Sequence, residues 1–345
     1  MELKAALEQL LNRQDLQADQ MESVMHKLMS GKATPAQIGA ILVALRMKGE
    51  SLEEITAAVR VMRSLATPVR LDDKSTLVDT CGTGGDGANT FNISTACAFV
   101  VAAAGGKVAK HGNRSISSKS GSADVLEAAG VDLTLSPEQV ADCINETGVG
   151  FMFAQAHHSA MKHVIGSRKE LGVRTIFNML GPLTNPAGAP FQVIGVYSQA
   201  LTVLFAQVLQ RLGSNHVMVV HAEDGLDEIS IASKTTVAEL KHGEVFEWQI
   251  DPSDYNMDHA SLEDLSVDSA QDSLNIIRAV FANNDSAAKD MVCLNAGASL
   301  YVAGLAKNYA DGVALARKVI ADGLAQAKLN EFIAKTQSFN HRGFE

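Results

Sequence analysis

The chain has 345 residues and a formal net charge of -10 at pH 7. This length suffices for one large α/β domain or for a large domain with a small one, and an acidic balance without a basic stripe argues against nucleic-acid binding. No apolar run reaches the ~18 residues of a membrane span and no secretory segment follows Met1, so we expect a soluble, cytoplasmic protein that does not bind membranes.

Residues 1–69 are predicted to form a small helical domain. Thr34-Pro-Ala-Gln37 and Ser51-Leu-Glu-Glu54 have the pattern of capping boxes, which start helices. The pattern predicts about four short helices, a block too small to bury much core, so we expect it to pack on the rest of the chain or on a second copy. Apolar residues with helical spacing support this: Ile38, Ile41, Leu42, Leu45, Ile55, Val59 and Met62.

Strands and helices alternate over residues 70–345, which predicts an α/β domain with a mostly parallel central sheet. The predicted strands are 76–79, 107–110, 151–154, 192–197, 216–221 and 245–250. The predicted helices are 93–104, 123–129, one that starts after Ser136, 202–212, 273–282, 286–301 and 311–332.

A window rich in Gly, Ser, Thr and Asn follows the first two predicted strands. It contains no Asp or Glu between Asp86 and Asp124, although the chain as a whole is acidic. Glycines let backbone N–H groups approach a ligand closely, so the window predicts a cradle for a phosphorylated, multiply anionic small molecule. Four cations fall within it: Lys107, Lys110, Arg114 and Lys119.

The segment Gly82-Thr-Gly-Gly-Asp-Gly87 matches G-x-G-x-x-G after a strand. A dinucleotide fold would need an acid about twenty residues further on for the ribose hydroxyls, and none is present. A Walker P-loop would need Gly-Lys-Ser/Thr after the glycines, which is also missing. A tight turn alone would explain one or two glycines but not the donors that follow, so a different phosphate ligand is favoured.

The chain resembles the anthranilate phosphoribosyltransferase family in motifs that occur in order over nearly its whole length. These motifs are Asp79-Thr-Cys-Gly-Thr-Gly-Gly-Asp86, Asn92-Ile-Ser-Thr95, Lys110-His-Gly-Asn-Arg114, Ser118-Lys-Ser-Gly-Ser-Ala-Asp-Val-Leu126, Ala156-His-His158, Arg168-Lys-Glu-Leu-Gly-Val-Arg-Thr-Ile-Phe-Asn178, Gly181-Pro-Leu-Thr-Asn-Pro186 and Gly225-Leu-Asp-Glu-Ile-Ser230. The resemblance implies a nucleoside phosphorylase-like fold, in which helices from about 165–185 fold back onto the helical domain. It also implies phosphoribosyl transfer from 5-phosphoribosyl 1-pyrophosphate (PRPP) to anthranilate in tryptophan biosynthesis, with Mg²⁺, by a homodimer formed through the helical domain.

The same resemblance implies where PRPP binds. Glycines would bring N–H groups to its phosphates, Lys110 would pair with the pyrophosphate, and Asp86 would take sugar hydroxyls or act through metal. The implied residues are Gly82, Gly85, Asp86, Thr90, Asn92, Ile93, Ser94, Thr95, Lys110, His111, Gly112, Asn113, Arg114, Ser115, Ile116, Ser117, Ser118 and Ser122.

Several of these residues have a plainer explanation. Asn92, Ser94 and Thr95 are also typical of simple capping at a helix start. Arg114 and Lys119 are equally explained as solvated loop charges. His111 could be a base, a hydrogen-bond donor or a packing residue, and we favour substrate orientation.

The metal is expected at Ser94, Asp227 and Glu228, because magnesium prefers hard oxygen ligands. Neighbouring side chains on a strand point to opposite faces, so the two acids must lie in the turn opened by Gly225. Adjacent acids in a turn are most often surface charge, and only the resemblance favours the metal.

The resemblance also implies that anthranilate binds at Gly82, Asn113, His158 and Arg168. A guanidinium can pair bidentately with the anthranilate carboxylate, although a surface role for Arg168 and core packing for His158 are the alternatives. The chain departs from the family pattern at Gln155 and Ser159, where proline is common.

Two other functions are possible on this architecture. A pyrimidine nucleoside phosphorylase-like enzyme would need a pyrimidine-reading site in place of the Arg168 and Asn113 region, and no such motif is visible. A non-catalytic nucleic-acid-binding relative would carry a basic surface and degraded motifs, whereas this chain is acidic and its motifs are intact.

Overall fold

A computed structural model of the protein describes residues 1–115 and 119–339. Its N-terminal part is a block of four helices, as predicted. The predicted caps at Thr34 and Ser51 are confirmed, since each hydroxyl accepts from the backbone N–H three residues on, and the apolar residues with helical spacing are all buried. The helices are α1 (Leu3–Leu11), α2 (Ala18–Met29), α3 (Pro35–Lys48) and α4 (Leu52–Leu65).

The rest of the described chain is built on a seven-stranded sheet in the order β3-β2-β1-β4-β5-β6-β7. The first five strands in that order are parallel, and β6 and β7 are added antiparallel. The mostly parallel sheet is therefore confirmed, but β6 is missing from the sequence prediction. The strands are β1 (Leu77–Gly82), β2 (Lys107–Gly112), β3 (Val149–Phe153), β4 (Phe191–Gly195), β5 (His216–Ala222), β6 (Thr235–Lys241) and β7 (Glu244–Ile250).

Helices cover both faces of this sheet and make a large buried core with it. The single helix predicted over 311–332 is wrong, because Gly323 adopts a left-handed conformation (φ 70°) and separates two helices. The helices are α5 (Ile93–Ala103), α6 (Ser122–Ala128), α7 (Pro137–Thr147), α8 (Ala154–His157), α9 (Ile165–Leu171), α10 (Phe177–Leu183), α11 (Ala200–Arg211), α12 (Ala270–Phe281), α13 (Ala287–Val302), α14 (Tyr309–Ala321) and α15 (Leu324–Ser338).

Two of these helices pack against the N-terminal block. α9 contacts α3 and α10 contacts α4, and Ile176, Leu180 and Leu183 share one buried cluster with the N-terminal helices. Apolar side chains from far along the sequence thus complete a core that four short helices could not bury alone. The bounds 1–69 and 70–345 stay a prediction.

Within residues 1–115 and 119–339, no helix combines the length and the apolar character that crossing a membrane would require.

Candidate active site

The glycine loop after β1 owes its path to backbone conformations that glycine adopts easily. Gly84, Gly85 and Gly87 have φ values of 67°, 79° and 80°, which side chains with a Cβ disfavour. The N–H of Gly84 donates to Oδ2 of Asp227 at 2.6 Å. The loop is therefore tied directly to the acid pair that lies 143 residues further along the chain.

The acid pair Asp227–Glu228 lies in the irregular segment after β5, as predicted from the turn at Gly225 (φ 95°). Gly82 and Gly195 end the paired strands β1 and β4 opposite one another. A Cβ on either glycine would overlap Asp227. The missing side chains at these two strand ends thus make room for the acids at the carboxyl edge of the sheet.

Carboxylates crowd each other at this edge. Burial raises the pKa of Asp227 to about 7, and the neighbouring Asp86 charge adds to the rise. Burial also holds the pKa of Glu228 well above its usual range, with further contributions from Asp227 and Asp86, while Lys110 acts in the opposite direction. A carboxylate cluster of this kind is stabilised by an added cation.

Lys110 places a buried cation between strands β1 and β2 and the start of α5. The residue is only 3% exposed, and its Nζ donates to the Thr80 carbonyl at 2.7 Å and to Ser94 Oγ at 3.0 Å. No acid of the described residues forms an ion pair with Lys110, and a lysine of this kind beside a glycine loop is suited to bind an anionic ligand.

The start of α5 differs from a simple capped helix. Asn92 makes no side-chain cap; its Oδ1 instead accepts from Ser120 Oγ at 2.8 Å and from Ser273 Oγ at 2.7 Å. Ile93 and Thr95 are each 1% exposed. The capping explanation is therefore wrong for Asn92, whose side chain braces two neighbouring segments, and Ile93 can offer a ligand only backbone groups.

Thr90 is half-buried and forms an isolated antiparallel bridge with Ser266. Ser94 remains partly exposed beside Lys110.

The loop after β2 supplies fewer open cations than its sequence indicates. The guanidinium of Arg114 pairs with Glu127 at 2.7 Å and with Asp124 at 3.1 Å, and Lys119 is exposed. The Asp124 carboxylate also accepts from the backbone N–H of Ser115 at 3.0 Å. In this structure Arg114 holds the loop to α6 instead of standing open towards a ligand.

Other predicted residues of this loop lie close together. Ser122 Oγ donates to the Asn113 carbonyl at 3.3 Å, and a Cβ on Gly112 would overlap Ser122 and the ring of Phe151. The predicted residues Ile116, Ser117 and Ser118 lie outside the described residues.

Two predicted histidines meet beside the loop after β2. The rings of His111 and His158 lie 5.0 Å apart, centroid to centroid, and the buried Nε2 of each has no partner within residues 1–115 and 119–339. Burial lowers the pKa of His111 to about 3 and that of His158 to about 4. Both rings are consequently neutral near pH 7 and can donate or accept a hydrogen bond.

Arg168 has a guanidinium without an acidic partner among the described residues. It lies 5.2 Å from the centroid of the Phe177 ring, and burial lowers its pKa. A partly buried guanidinium with open donors can receive a carboxylate.

Arg174 and Asn185 support the site, although the sequence analysis gave them no role. The guanidinium of Arg174 donates to the Gly85 carbonyl at 2.5 Å and stacks 4.1 Å from the Tyr197 ring centroid. The amide of Asn185 donates to Asp79 Oδ2 at 2.7 Å and to the Ala109 carbonyl at 2.8 Å. Their position inside two quoted motifs was the only available signal, because both contacts join distant segments.

Comparison with known proteins identifies the family. The model of the glycosyl transferase family, a/b domain, matches residues 74–326, and that of the glycosyl transferase family, helical bundle domain, matches residues 4–66. An anthranilate phosphoribosyltransferase of Hydrogenovibrio crunogenus is 70% identical over 98% of this chain and 100% of its own length. The relative from Cellvibrio japonicus is 61% identical over 98% and 99%.

The chain belongs to the anthranilate phosphoribosyltransferase family.

Solved structures of this family share the fold. The enzyme from Thermus thermophilus is 42% identical, with a TM-score of 0.91 over 96% of this chain and 99% of its own. The Saccharomyces cerevisiae enzyme, in complex with PRPP and Mg, is 26% identical, with a TM-score of 0.88 over 97% and 98%. The expected fold and family activity, phosphoribosyl transfer to anthranilate in tryptophan biosynthesis, are thereby confirmed.

Proposed function

We propose that phosphoribosyl transfer takes place at the carboxyl edge formed by β1, β2 and β5. There the C1–O bond of PRPP to pyrophosphate breaks, the amine of anthranilate bonds to C1 and loses a proton, and N-(5'-phosphoribosyl)anthranilate forms. Two contacts carry this proposal. The buried Lys110 donates to Ser94, and Asp227 accepts from the N–H of Gly84 in the glycine loop.

On the donor side, the N–H groups of the glycine loop and the Lys110 ammonium would hold the phosphates. The leaving pyrophosphate gains charge as the C1–O bond lengthens, and a buried cation stabilises that charge more than water does. Arg174 would hold the loop in place through the Gly85 carbonyl. Asp86 is partly exposed at the loop tip and available for sugar hydroxyls.

Asp227, Glu228 and Ser94 fit Mg²⁺ as incomplete ligands. They offer only hard oxygens, and burial, with a smaller contribution from neighbouring carboxylates, raises the pKa of both acids, an effect that a bound cation would oppose. No group of three or more His, Cys, Asp or Glu residues within 1–115 and 119–339 is placed to hold a metal alone. Substrate phosphates would complete the ligand set, and the bound ion would neutralise charge on the leaving pyrophosphate.

On the acceptor side, Arg168 would pair with the anthranilate carboxylate, and Asn113 and His158 would orient the ring near Gly82. The histidines are neutral near pH 7 because burial depresses the pKa of His158 to about 4 and that of His111 to about 3. Orientation of the amine, more than removal of its proton, is therefore their proposed contribution.

An activity assay tests the function directly. The purified protein is incubated with PRPP, Mg²⁺ and anthranilate, and we expect anthranilate fluorescence to fall with time and with enzyme concentration. Parallel incubations with pyrimidine nucleosides plus phosphate, and with single-stranded RNA, should show neither phosphorolysis nor binding. Unchanged anthranilate fluorescence would overturn the proposal, and activity or binding in a parallel arm would favour the corresponding alternative.

The acid pair provides a second test. Asp227→Ala combined with Glu228→Ala should lower kcat about hundredfold or more at saturating Mg²⁺, because the leaving group loses its neutralisation. The matched control is Glu223→Gln, an exposed acid in the preceding turn, which should keep near-normal rates. Circular dichroism checks that both variants fold, and near-normal turnover of the double variant would contradict the metal assignment.

We further propose a homodimer that forms through the helical domain and works in the cytoplasm. Leu11 of α1 is 68% exposed and Met47 of α3 is 73% exposed, and these two helices pack on each other. Large apolar side chains that one copy leaves in water are suited to be covered by a second.

A further inference from the structure

A cleft of about 330 Å³ lies away from the carboxyl edge, where the chain passes between the helical block and the sheet. One wall is the end of α4 with the connection to β1, and the other is the segment from Asn185 to Gly188 between α10 and β4. The two walls are joined by the backbone hydrogen bond from Val69 to the Pro186 carbonyl at 3.1 Å. The cleft therefore sits between the chain segments that link the two parts of the molecule.

Three cations and no acid line this cleft: Arg63, Arg70 and Lys74. Within the described part of the chain, none of them forms an ion pair. Two acids lie between Arg70 and Lys74 in the sequence: Asp72 is exposed, and Asp73 is engaged by Lys107 at 2.8 Å. A concave surface with three unpaired positive charges runs against the chain's net charge of -10 and attracts small anions.

Two of the cations are fixed in place but only partly satisfied. Arg63 donates through Nε to the Leu183 carbonyl at 2.9 Å, which leaves its terminal nitrogens as open donors. Burial lowers its pKa with no acid nearby to oppose this effect. Lys74 donates to the Ala187 carbonyl at 2.7 Å. Both side chains start from the α4–β1 side and donate to carbonyls of the α10–β4 side, so both charges are held across the cleft.

The cleft floor is rigid. Asn185 donates to Asp79 Oδ2 at 2.7 Å, and its own Oδ1 accepts from the Ala187 N–H at 2.9 Å. Arg70 is exposed at the rim, and its guanidinium forms no hydrogen bond or ion pair within residues 1–115 and 119–339. A prearranged floor with one free guanidinium at the rim can close around a ligand at little conformational cost.

We propose that this cleft is a second anion site, which binds inorganic phosphate or a phosphate monoester through Arg63, Arg70 and Lys74. The site is distinct from the transfer site, since its lining among the described residues includes none of those assigned above to PRPP, anthranilate or the metal, although it shares Asn185 with the support of that site. Its ligand would bridge the two connecting segments and so restrain the movement of the helical block against the sheet. The proposal does not depend on the reaction that the enzyme catalyses.

Calorimetric titration with inorganic phosphate tests the site in the full chain. Lys110→Met is used as the background because it removes the buried cation of the transfer site. In that background, we expect phosphate binding to persist and to weaken about tenfold with Arg70→Gln, because one charge-assisted hydrogen bond is lost. Arg278→Gln, which changes an exposed arginine on α12, is the matched control and should leave the affinity unchanged.

Phosphate binding that vanishes with Lys110→Met alone, or that is unaffected by both Arg70→Gln and Arg70→Glu, would overturn the second site. A parallel titration with ribose 5-phosphate separates the two sources of the anion: stronger binding than inorganic phosphate assigns the site to phosphate monoesters, and equal or weaker binding assigns it to free phosphate. Arg70 forms no hydrogen bond or ion pair with the described part of the chain, so its replacement should leave the fold intact, and the melting temperature of each variant checks this.

Discussion

At the scale of single residues, the site depends on charges that are buried without full compensation. Among the described residues, the hydrogen-bond partners of Lys110 are a carbonyl and a hydroxyl, while burial raises the pKa values of Asp227 and Glu228. Uncompensated buried groups lower stability and are retained where a ligand completes them. These buried charged groups are the ones that a polyanion and a metal ion would pair with.

Replacement of Lys110 should separate catalysis from folding. We expect Lys110→Met to lower kcat about hundredfold, because the pyrophosphate loses a buried positive charge, while the melting temperature changes little. The control is Lys107→Met on the same strand, where the lost contact is an ion pair with Asp73 near the surface. Steady-state rates at saturating substrates measure kcat for both variants. Equal rates would show that Lys110 has no role in the mechanism.

The two buried histidines make stability depend on pH. Burial depresses the folded-state pKa of His158 from 6.5 to about 4, so the unfolded state binds more protons between these values. The stability contributed by the neutral ring is therefore full above pH 6.5 and is lost as pH falls towards about 4.

Between pH 7 and pH 4, the unfolding free energy of the His158→Phe variant should fall less than that of wild type. The difference should be a few kcal/mol at most, since a pKa shift of one unit corresponds to about 1.4 kcal/mol. Urea unfolding of wild type and variant at several pH values between 4 and 7 measures the difference. Parallel curves for the two proteins over that interval would show that His158 is not held neutral by the fold.

At the scale of elements, the site is made by the ends of parallel strands. The glycine loop follows β1, the cationic loop follows β2 and the acid pair follows β5, so three connections converge at one edge of the sheet. Glycine at the ends of β1 and β4 lets Asp227 cross close above them. Strand order, which places β4 beside β1 and β5 beside β4, determines which loops meet.

Gly195 offers a test at this scale. Gly195→Ala would place a Cβ against the backbone of Asp227; we expect a loss of about 1–3 kcal/mol in unfolding free energy together with a marked loss of turnover. Gly166→Ala in α9 is the control, because nothing lies within 4 Å of its added Cβ and alanine favours a helix by up to about 1 kcal/mol. Urea unfolding and activity are measured for both; a fully active, stable Gly195→Ala would refute the close-approach argument.

At the scale of the whole molecule, the helical block and the sheet are joined by shared core and by two connecting segments. α9 and α10 return to pack on α3 and α4, so the block is completed by residues from the second half of the chain. The proposed phosphate cleft lies at the connecting segments, and the proposed dimer surface lies on α1 and α3. Phosphate binding and dimerisation would therefore both involve the helical block.

Met47 tests the assembly. In size-exclusion chromatography with light scattering, the wild-type protein should have twice the monomer mass of 36.6 kDa. The Met47→Glu variant should have a mass closer to that of the monomer, because a charge is costly at an apolar interface. Leu324→Glu, at an apolar residue 45% exposed on α15, should leave the mass unchanged. A monomeric wild type, or a Met47→Glu protein of unchanged mass, would contradict dimerisation through this surface.

The local features could be predicted from the amino-acid sequence: the helix caps at Thr34 and Ser51, most strands and helices, the acid-free glycine window and the family motifs. These follow from propensities and spacings over a few residues, which need no distant partner. The strand β6 and the break at Gly323 escaped because antiparallel pairing and a left-handed glycine depend on packing around them.

Which of these side chains contact one another depends on the tertiary fold. It turned Arg114 towards Asp124 and Glu127, made Asn92 a brace instead of a cap, and brought Asp227 to the glycine loop across 143 residues. Contacts between distant segments leave no periodic signal in the sequence, because each partner alone is an ordinary polar residue. The chain therefore shows which groups can do the chemistry, and the fold selects which of them meet.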